Sequence, residues 1–263
     1  MVAAGLLLAS TAACAQPREG GTGSAEAKTG GSPPVFQWTD WSYEGKPGAR
    51  HRTEAAESAK GETVRKLFSS AGVAFPPGQL LLRVFKDEDS LEVWASSETS
   101  GKLTLVAIYK VCYKSGDLGP KRMEGDLQVP EGFYRLDYFN PSSRFYLSMR
   151  VNYPNDSDRI LGRKGSLGGD IMIHGNCVSI GCLAMSDERI QELWVMAQSM
   201  NGKGRRVPVY IFPSRDLDKL LADPGRSSNH VFWRNLKQGF DLFEKEHRLL
   251  KVTVGKDGSY SFE

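Results

Sequence analysis

Several patterns that would indicate a nucleic-acid or nucleotide function are missing from this sequence. The net charge is only +3 with both signs interspersed, so the strongly basic surface of a nucleic-acid-binding protein is absent. There is no G-x-G-x-x-G motif, no regular strand–helix–strand alternation and no internal repeat. These absences argue against a nucleotide-binding fold and a repeat protein. We therefore expect no nucleic-acid partner.

Charged residues are also missing from the first fifteen positions, MVAAGLLLASTAACA. This apolar run is too short to span a bilayer as a helix, which needs about 20 residues, but it is typical of a signal peptide. Cleavage after the A-x-A-like Ala13-Cys14-Ala15 would release a soluble protein. Alternatively, Thr11 to Cys14 approximates a lipobox, and Cys14 would then carry a lipid anchor, the only membrane contact we expect. Either route predicts export to the periplasm or cell envelope.

The remaining chain divides by composition into four parts. Residues 16–53 are rich in Gly, Ser, Pro and Ala, which predicts a flexible tether, and residues 54–78 form a helical lead-in. Residues 79–213 contain short β-branched and aromatic runs such as LLLRVF, LEVWA and KLTLVAIYKV, typical of strands. Residues 214–263 add an amphipathic helix and a hairpin that we expect to pack on this domain. The fold class predicted is mainly β with peripheral helices.

The candidate reactive residues lie in the segment HGNCVSIGC, residues 174–182, which places His174 near Cys177 and Cys182. A zinc site is one interpretation, with Cys112 as a distant fourth ligand, but no paired C-x₂₋₄-C knuckle is present. A buried histidine and a buried thiol without a functional role are another. A catalytic pair is the third, and it requires no metal and no cofactor.

The catalytic interpretation assigns a role to each group. Cys182 attacks as a thiolate, and His174, at the end of the apolar strand IMI, accepts its proton as the general base. Gly175 permits a sharp turn after the histidine, and Gly181 leaves space for an approaching carbonyl. Consecutive backbone N–H groups near Cys182 would form an oxyanion hole. Ser186 or Asp187 would cap the helix predicted from Asp187 to Met200.

Two separated segments carry a family resemblance. IMIHGNCVSIGCLAMSD resembles the HG and S-x-G-C signature of the L,D-transpeptidase (YkuD-like) catalytic domain, and CYKSGDLGPKRMEGDLQVPEGFY resembles its upstream hairpin segment. The likeness is greatest to the YafK-like subgroup. It implies a β-sandwich-like fold and peptidoglycan stem peptides as substrate. Cys182 takes the nucleophile's place, His174 the general base's, and Gly175, Ser179 and Gly181 the supporting places. Lys121 and the Glu124–Asp126 turn would border the substrate groove.

The sequence departs from the common family pattern at two positions beside the nucleophile. Ile180 replaces a histidine, and Ala184 stands where an arginine or asparagine is usual. Loss of a polar group that would hold a substrate carboxylate leaves two reactions open. These are transfer between stem peptides and hydrolysis of a diaminopimelate-linked bond, including the link to a peptidoglycan-bound lipoprotein. A catalytically silent wall-binding module and a thiol-redox or zinc protein are the alternatives from other classes.

The other two cysteines of the exported domain raise a separate question. A thiol at Cys177 would be able to form a disulfide with Cys182 and block catalysis in an oxidising compartment. Pairing of Cys112 with Cys177 would prevent this and tie the strand ending near Cys112 to the catalytic loop. Connectivity does not follow from sequence, so this bridge is a hypothesis.

Overall fold

The computed structural model describes residues 49–263 of the chain. The predicted signal peptide, the lipidation site at Cys14 and most of the tether lie outside the described residues. The first described element is helix α1 (Ala49–Ser70), which continues the predicted lead-in helix toward its N-terminus. Within residues 49–263, no helix combines the length and apolar character needed to cross a membrane.

Most strand patterns of the sequence form strands in the structure. The strands are β1 (Gln79–Phe85), β2 (Ser90–Ser96), β3 (Thr104–Lys110), β4 (Gly132–Ser143), β5 (Tyr146–Val151), β6 (Met172–His174), β7 (Leu183–Ala184), β8 (Pro208–Phe212), β9 (Val252–Val254) and β10 (Tyr260–Phe262). The further helices are α2 (Asp156–Leu161), α3 (Ser186–Asn201), α4 (Leu217–Ala222) and α5 (His230–Glu246), with a 3₁₀ segment at Pro224–Asn229. The predicted mainly β fold with peripheral helices is confirmed.

Eight strands form one mixed sheet in the order β3-β2-β1-β8-β4-β5-β6-β7. Neighbours along the chain pair as antiparallel hairpins, such as β1 with β2 and β4 with β5. Two pairs are parallel: β1 with β8, which closes the middle of the sheet, and β6 with β7. The parallel pair β6–β7 lies at one end of the sheet and carries the HGNCVSIGC segment.

Both faces of the central sheet are buried, as the alternation along β1 demonstrates. Leu80, Leu82 and Val84 belong to a core cluster that includes residues of α1 and α3. Leu81 and Phe85 point to the opposite face and join a second cluster with aromatic residues of α5. Because successive strand side chains alternate between faces, this near-continuous apolar strand places helices on both sides of the sheet.

Helix α1 is more deeply packed than its sparse apolar pattern indicates. Ala56, Val64 and Phe68 are fully buried, and Phe68 meets Phe75 edge to face, with ring centroids 5.0 Å apart. The helix packs against α3 and lies over the first core cluster. Three apolar side chains at helical spacing are thus sufficient to dock an otherwise polar helix.

Candidate active site

His174 is the last residue of the short strand β6, held between β5 and β7. Its ring is fully buried and lies against Phe145, with ring centroids 4.6 Å apart. Nδ1 lies 2.6 Å from the Gly175 carbonyl oxygen. A carbonyl only accepts, so this contact assigns the proton to Nδ1 and leaves the lone pair on Nε2. Nε2 has no hydrogen-bond partner within residues 49–263. Its lone pair is therefore available to accept a proton.

Cys182 immediately precedes strand β7. The parallel register pairs Ile173 with Leu183 and His174 with Ala184, so Cys182 comes opposite Met172, whose N–H lies 3.4 Å from Sγ. Sγ also lies 3.6 Å from the Asp170 carbonyl oxygen, so the thiol contacts the backbone of the segment that leads into β6. Met172, the residue opposite Cys182, is two positions before His174 on β6, roughly 6.6 Å along the strand direction. Cys182 is fully buried.

A compact loop presents Cys182, and two serines fix it. Ser179 Oγ accepts from the Cys182 N–H and donates to the Cys182 carbonyl, both at 2.8 Å. Ser115 Oγ accepts from the Gly181 N–H and donates to the Leu127 carbonyl at 2.9 Å. The expectation of an open oxyanion hole here is therefore wrong for this conformation, because both N–H groups already have acceptors. Sequence reasoning found Ser179 but missed Ser115, which lies 66 residues from Gly181.

Gly175 is required for a different reason from the one predicted. Its backbone is not in the left-handed region; instead, a Cβ there would lie 2.7 Å from the Phe145 carbonyl oxygen and 2.6 Å from Asp187 Oδ1. Gly181 does adopt a positive φ, +93°, which favours glycine. The predicted helix cap is also wrong. Met185 occupies the N-cap of α3 without a side-chain bond, and Asp187 accepts from the Asn176 N–H at 2.8 Å instead.

A disulfide joins Cys112 to Cys177 with 5.6 Å between Cα atoms, the pairing raised as a hypothesis from the sequence. It ties the segment after β3 to the loop between His174 and Cys182. The Cys112 N–H also donates to the Ala184 carbonyl at 2.8 Å. This bridge uses two of the three thiols that the zinc interpretation needs. Among the described residues, Cys182 is the cysteine that is not in the disulfide.

The positions that depart from the family pattern lie in contrasting surroundings. Ile180 is 46% exposed on the loop, whereas Ala184 is buried in β7. Lys121 is buried as well and binds Asp126 Oδ1 at 2.6 Å and the Met123 carbonyl at 2.9 Å. Burial alone would raise the pKa of Asp126, but bonds from Lys121 and from three backbone N–H groups lower it. Lys121 and the Glu124–Asp126 turn thus form an internally bonded turn.

Comparisons with known proteins point to one family. The family model of the YkuD L,D-transpeptidase catalytic domain matches residues 76–211. The chain is 36% identical over 176 residues to a protein of Escherichia coli (strain K12) named "Putative L,D-transpeptidase YafK", covering 66% of this chain and 70% of that protein. Among solved structures, the helical cell shape determining protein Pgp2 from Campylobacter jejuni is 21% identical with a TM-score of 0.43, covering 66% of this chain and 73% of that one.

Proposed function

Because the chain belongs to the YkuD family of L,D-transpeptidase catalytic domains, we propose that it is a peptidoglycan-modifying enzyme of the cell envelope that works through an acyl-enzyme on Cys182. His174 is the general base. The substrates are peptidoglycan stem peptides, and the bond attacked is a diaminopimelate-linked peptide bond, including bonds to peptidoglycan-linked lipoproteins. Gly175, Ser179 and Gly181 support the two reacting side chains.

One observation carries this proposal: the imidazole of His174 is oriented by its neighbour and has an unused nitrogen, two strand positions from the residue that lies opposite Cys182. Nδ1 is engaged at 2.6 Å by the Gly175 carbonyl, and the buried Nε2 has no partner among the described residues. An orphaned buried nitrogen costs free energy. A catalytic role in which Nε2 accepts a proton would account for this cost.

The reaction follows from these groups. His174 Nε2 accepts the Cys182 thiol proton, and Sγ attacks the carbonyl carbon to form the C–S bond. The Gly175 carbonyl stabilises the resulting imidazolium through Nδ1–H. The imidazolium then protonates the leaving amine as the C–N bond breaks, giving a thioester. Water or an acceptor amine, deprotonated by Nε2, attacks the thioester and regenerates the thiol. Hydrolysis and transfer differ only in this last nucleophile.

Substrate access requires a local rearrangement, because Cys182 is fully buried. The exposed part of the loop, with Val178 54% and Ile180 46% exposed, is the segment whose displacement uncovers Sγ.

The test uses purified sacculi and defined muropeptides incubated with the protein, with the products identified by mass spectrometry. Release of free stem or lipoprotein ends indicates hydrolysis, and new crosslinks or amine adducts indicate transfer. Cys182→Ala and His174→Gln should each remove the products while the circular dichroism spectrum stays unchanged. Products that persist with Cys182→Ala would refute the mechanism. Binding to sacculi without any turnover would support the silent wall-binding alternative.

Anchoring and export form a further part of the proposal. The apolar segment 1–15 supports export, and Cys14 is the residue on which a lipid anchor would form. Mass spectrometry of the protein recovered from membrane and soluble fractions distinguishes the two routes. A diacylated N-terminal Cys14 identifies a lipoprotein, and an unmodified N-terminus at Gln16 identifies a soluble exported enzyme.

A further inference from the structure

A groove runs along the outer edge of strand β3, beside the candidate active site. It has a volume of about 570 Å³, within the usual range for ligand sites. One wall is α1, the floor is β3, and the other wall is the first turns of α3. The residues that line this β3-edge groove include Thr63, Leu67, Ile108, Lys110, Ser186 and Arg189.

The outer edge of β3, which borders the groove, bonds to no second strand among those the structure describes. β3 is the terminal strand of the sheet and pairs with β2 alone among the described strands. The Val111 N–H donates to the Asp89 carbonyl on the β2 side at 2.6 Å. Because bonded residues alternate along an antiparallel pair, the polar backbone groups of Lys110 and Ile108 point to the opposite side. An open edge of this kind is a template for an added strand.

This edge continues directly into the catalytic loop. Two residues beyond Lys110, the Cys112 N–H donates from the same edge to the carbonyl of Ala184, which is two residues from Cys182. Cys112 is also bonded to Cys177 in the loop. From Ile108 to Cys112 the extended chain covers roughly 14 Å, the length of about four extended residues. A short peptide lying on the groove would end beside the site.

The charge of the groove selects the kind of peptide. Glu192 is buried and forms ion pairs with two cations, Arg189 at 3.3 Å and Lys60 at 3.5 Å. It also accepts from the Tyr109 hydroxyl at 2.8 Å. Lys110, which also lines the groove, adds a further positive charge. The lining is therefore net positive, which complements a peptide rich in carboxylates.

We propose that the β3-edge groove binds a peptidoglycan stem peptide in an extended conformation, as an added strand on β3, with its free carboxylates facing Lys110 and Arg189. This inference rests on the proposed function, since it assigns that substrate a second contact region. The apolar side chain of Ile108, 58% exposed, packs on the peptide. Backbone bonds supply affinity independent of side chains, and the two cations supply selectivity.

Equilibrium binding of a fluorescent muropeptide with a free tetrapeptide stem tests the proposal, in the full chain carrying Cys182→Ala so that no turnover occurs. Lys110→Glu should raise the dissociation constant roughly tenfold, whereas Lys102→Glu, the same charge change on an exposed residue outside the groove, should leave it unchanged. Ile108→Pro removes one outward N–H without removing a bond to β2. It should weaken binding by a similar factor, more than Ile108→Ala does.

The outcomes separate this proposal from the proposed function. Unchanged affinity in correctly folded Lys110→Glu and Ile108→Pro would overturn the groove assignment, even if the wild-type protein processes sacculi. Weakened binding in both would uphold it, even if no turnover is found. Hydrogen exchange gives a second readout. Protection of the Ile108 and Lys110 amides before peptide is added, lost on deletion of residues 1–48, would assign the edge to this chain and overturn the proposal.

Discussion

Ser179 Oγ holds both backbone polar groups of Cys182, accepting from its N–H and donating to its carbonyl at 2.8 Å each. One hydroxyl three residues upstream therefore fixes the peptide units on either side of the thiol. Gly181 lies inside this closed turn at a positive φ. The position of Sγ relative to His174 consequently depends on a local bond as well as on the sheet.

Removing this hydroxyl should impair catalysis more than stability. With Ser179→Ala, two bonds worth about 1 kcal/mol each are lost, and we expect kcat/KM to fall about ten- to hundredfold. Steady-state assays on muropeptides measure this, with Ser100→Ala at an exposed site as the control. Ser179→Thr, which keeps the hydroxyl, should recover most of the activity. A Ser179→Ala enzyme as active as wild type would show that the sheet alone positions Cys182.

Carbapenem-type β-lactams should acylate Cys182 slowly or not at all. The thiol is buried, and the flanking Ile180 and Ala184 offer no cation or amide for the carboxylate of the drug. Intact-protein mass spectrometry after incubation measures the adduct, with Cys182→Ala to identify the reacting residue. Fast and complete acylation of the wild-type protein would contradict this expectation and would mean that the loop opens readily.

The carboxyl of Asp158 should make stability depend on pH. Burial raises its pKa to about 6, against lowering by bonds from the Asn155 N–H and the Tyr134 hydroxyl. The folded state then retains a proton that the unfolded state, with the usual value near 3.8, has lost. The free energy of unfolding should therefore fall as the pH rises from about 4 to 6, by at most about 3 kcal/mol, and then level off.

Urea unfolding at several pH values measures this slope. Asp158→Asn cannot ionise, so its free energy of unfolding should lack this fall between pH 4 and 6. Asp156→Asn, an exposed change in the first turn of the same helix, should retain it. Equal slopes in the wild type and Asp158→Asn would show that the carboxyl stays ionised in the folded protein.

Local sequence patterns predicted most helices and strands, but they did not predict how distant strands pair in the sheet. The runs LLLRVF, LEVWA and KLTLVAIYKV identified β1, β2 and β3 within one or two residues. The parallel pairing of β1 with β8 joins segments more than a hundred residues apart, and no local signal encodes it. The short elements α2, α4 and β7 were missed, because two to six residues contain too little periodicity.

The candidate site divides in the same way. His174 and Cys182 stand out as reactive residue types near glycines in one short segment. Ser115 is an ordinary serine in a polar loop, and only the fold brings it to Gly181. Asp187 looked like a helix cap by position, but tertiary packing gave it the Asn176 N–H instead. Residue type therefore predicted the reacting side chains, but not the residues that hold them in place.

The bridge between Cys112 and Cys177 should stabilise both the fold and the catalytic loop. It closes a loop across a sequence separation of 65, for which removal costs about 2–4 kcal/mol. We expect the double variant Cys112→Ala/Cys177→Ala to unfold at lower urea concentration and to show reduced turnover, because the segment between His174 and Cys182 loses its attachment to the end of β3.

The single variant Cys112→Ala separates this mechanical effect from thiol chemistry. It leaves Cys177 as a thiol in the same loop as Cys182, so oxidation should pair the two and lower activity below that of the double variant. Added dithiothreitol should then restore the activity of the single variant to that of the double variant. It should not raise it further, because both variants lack the disulfide. If the double variant instead retains full stability and turnover, the bridge has neither role. If the single variant is insensitive to dithiothreitol, Cys177 does not reach Cys182 in the loosened loop.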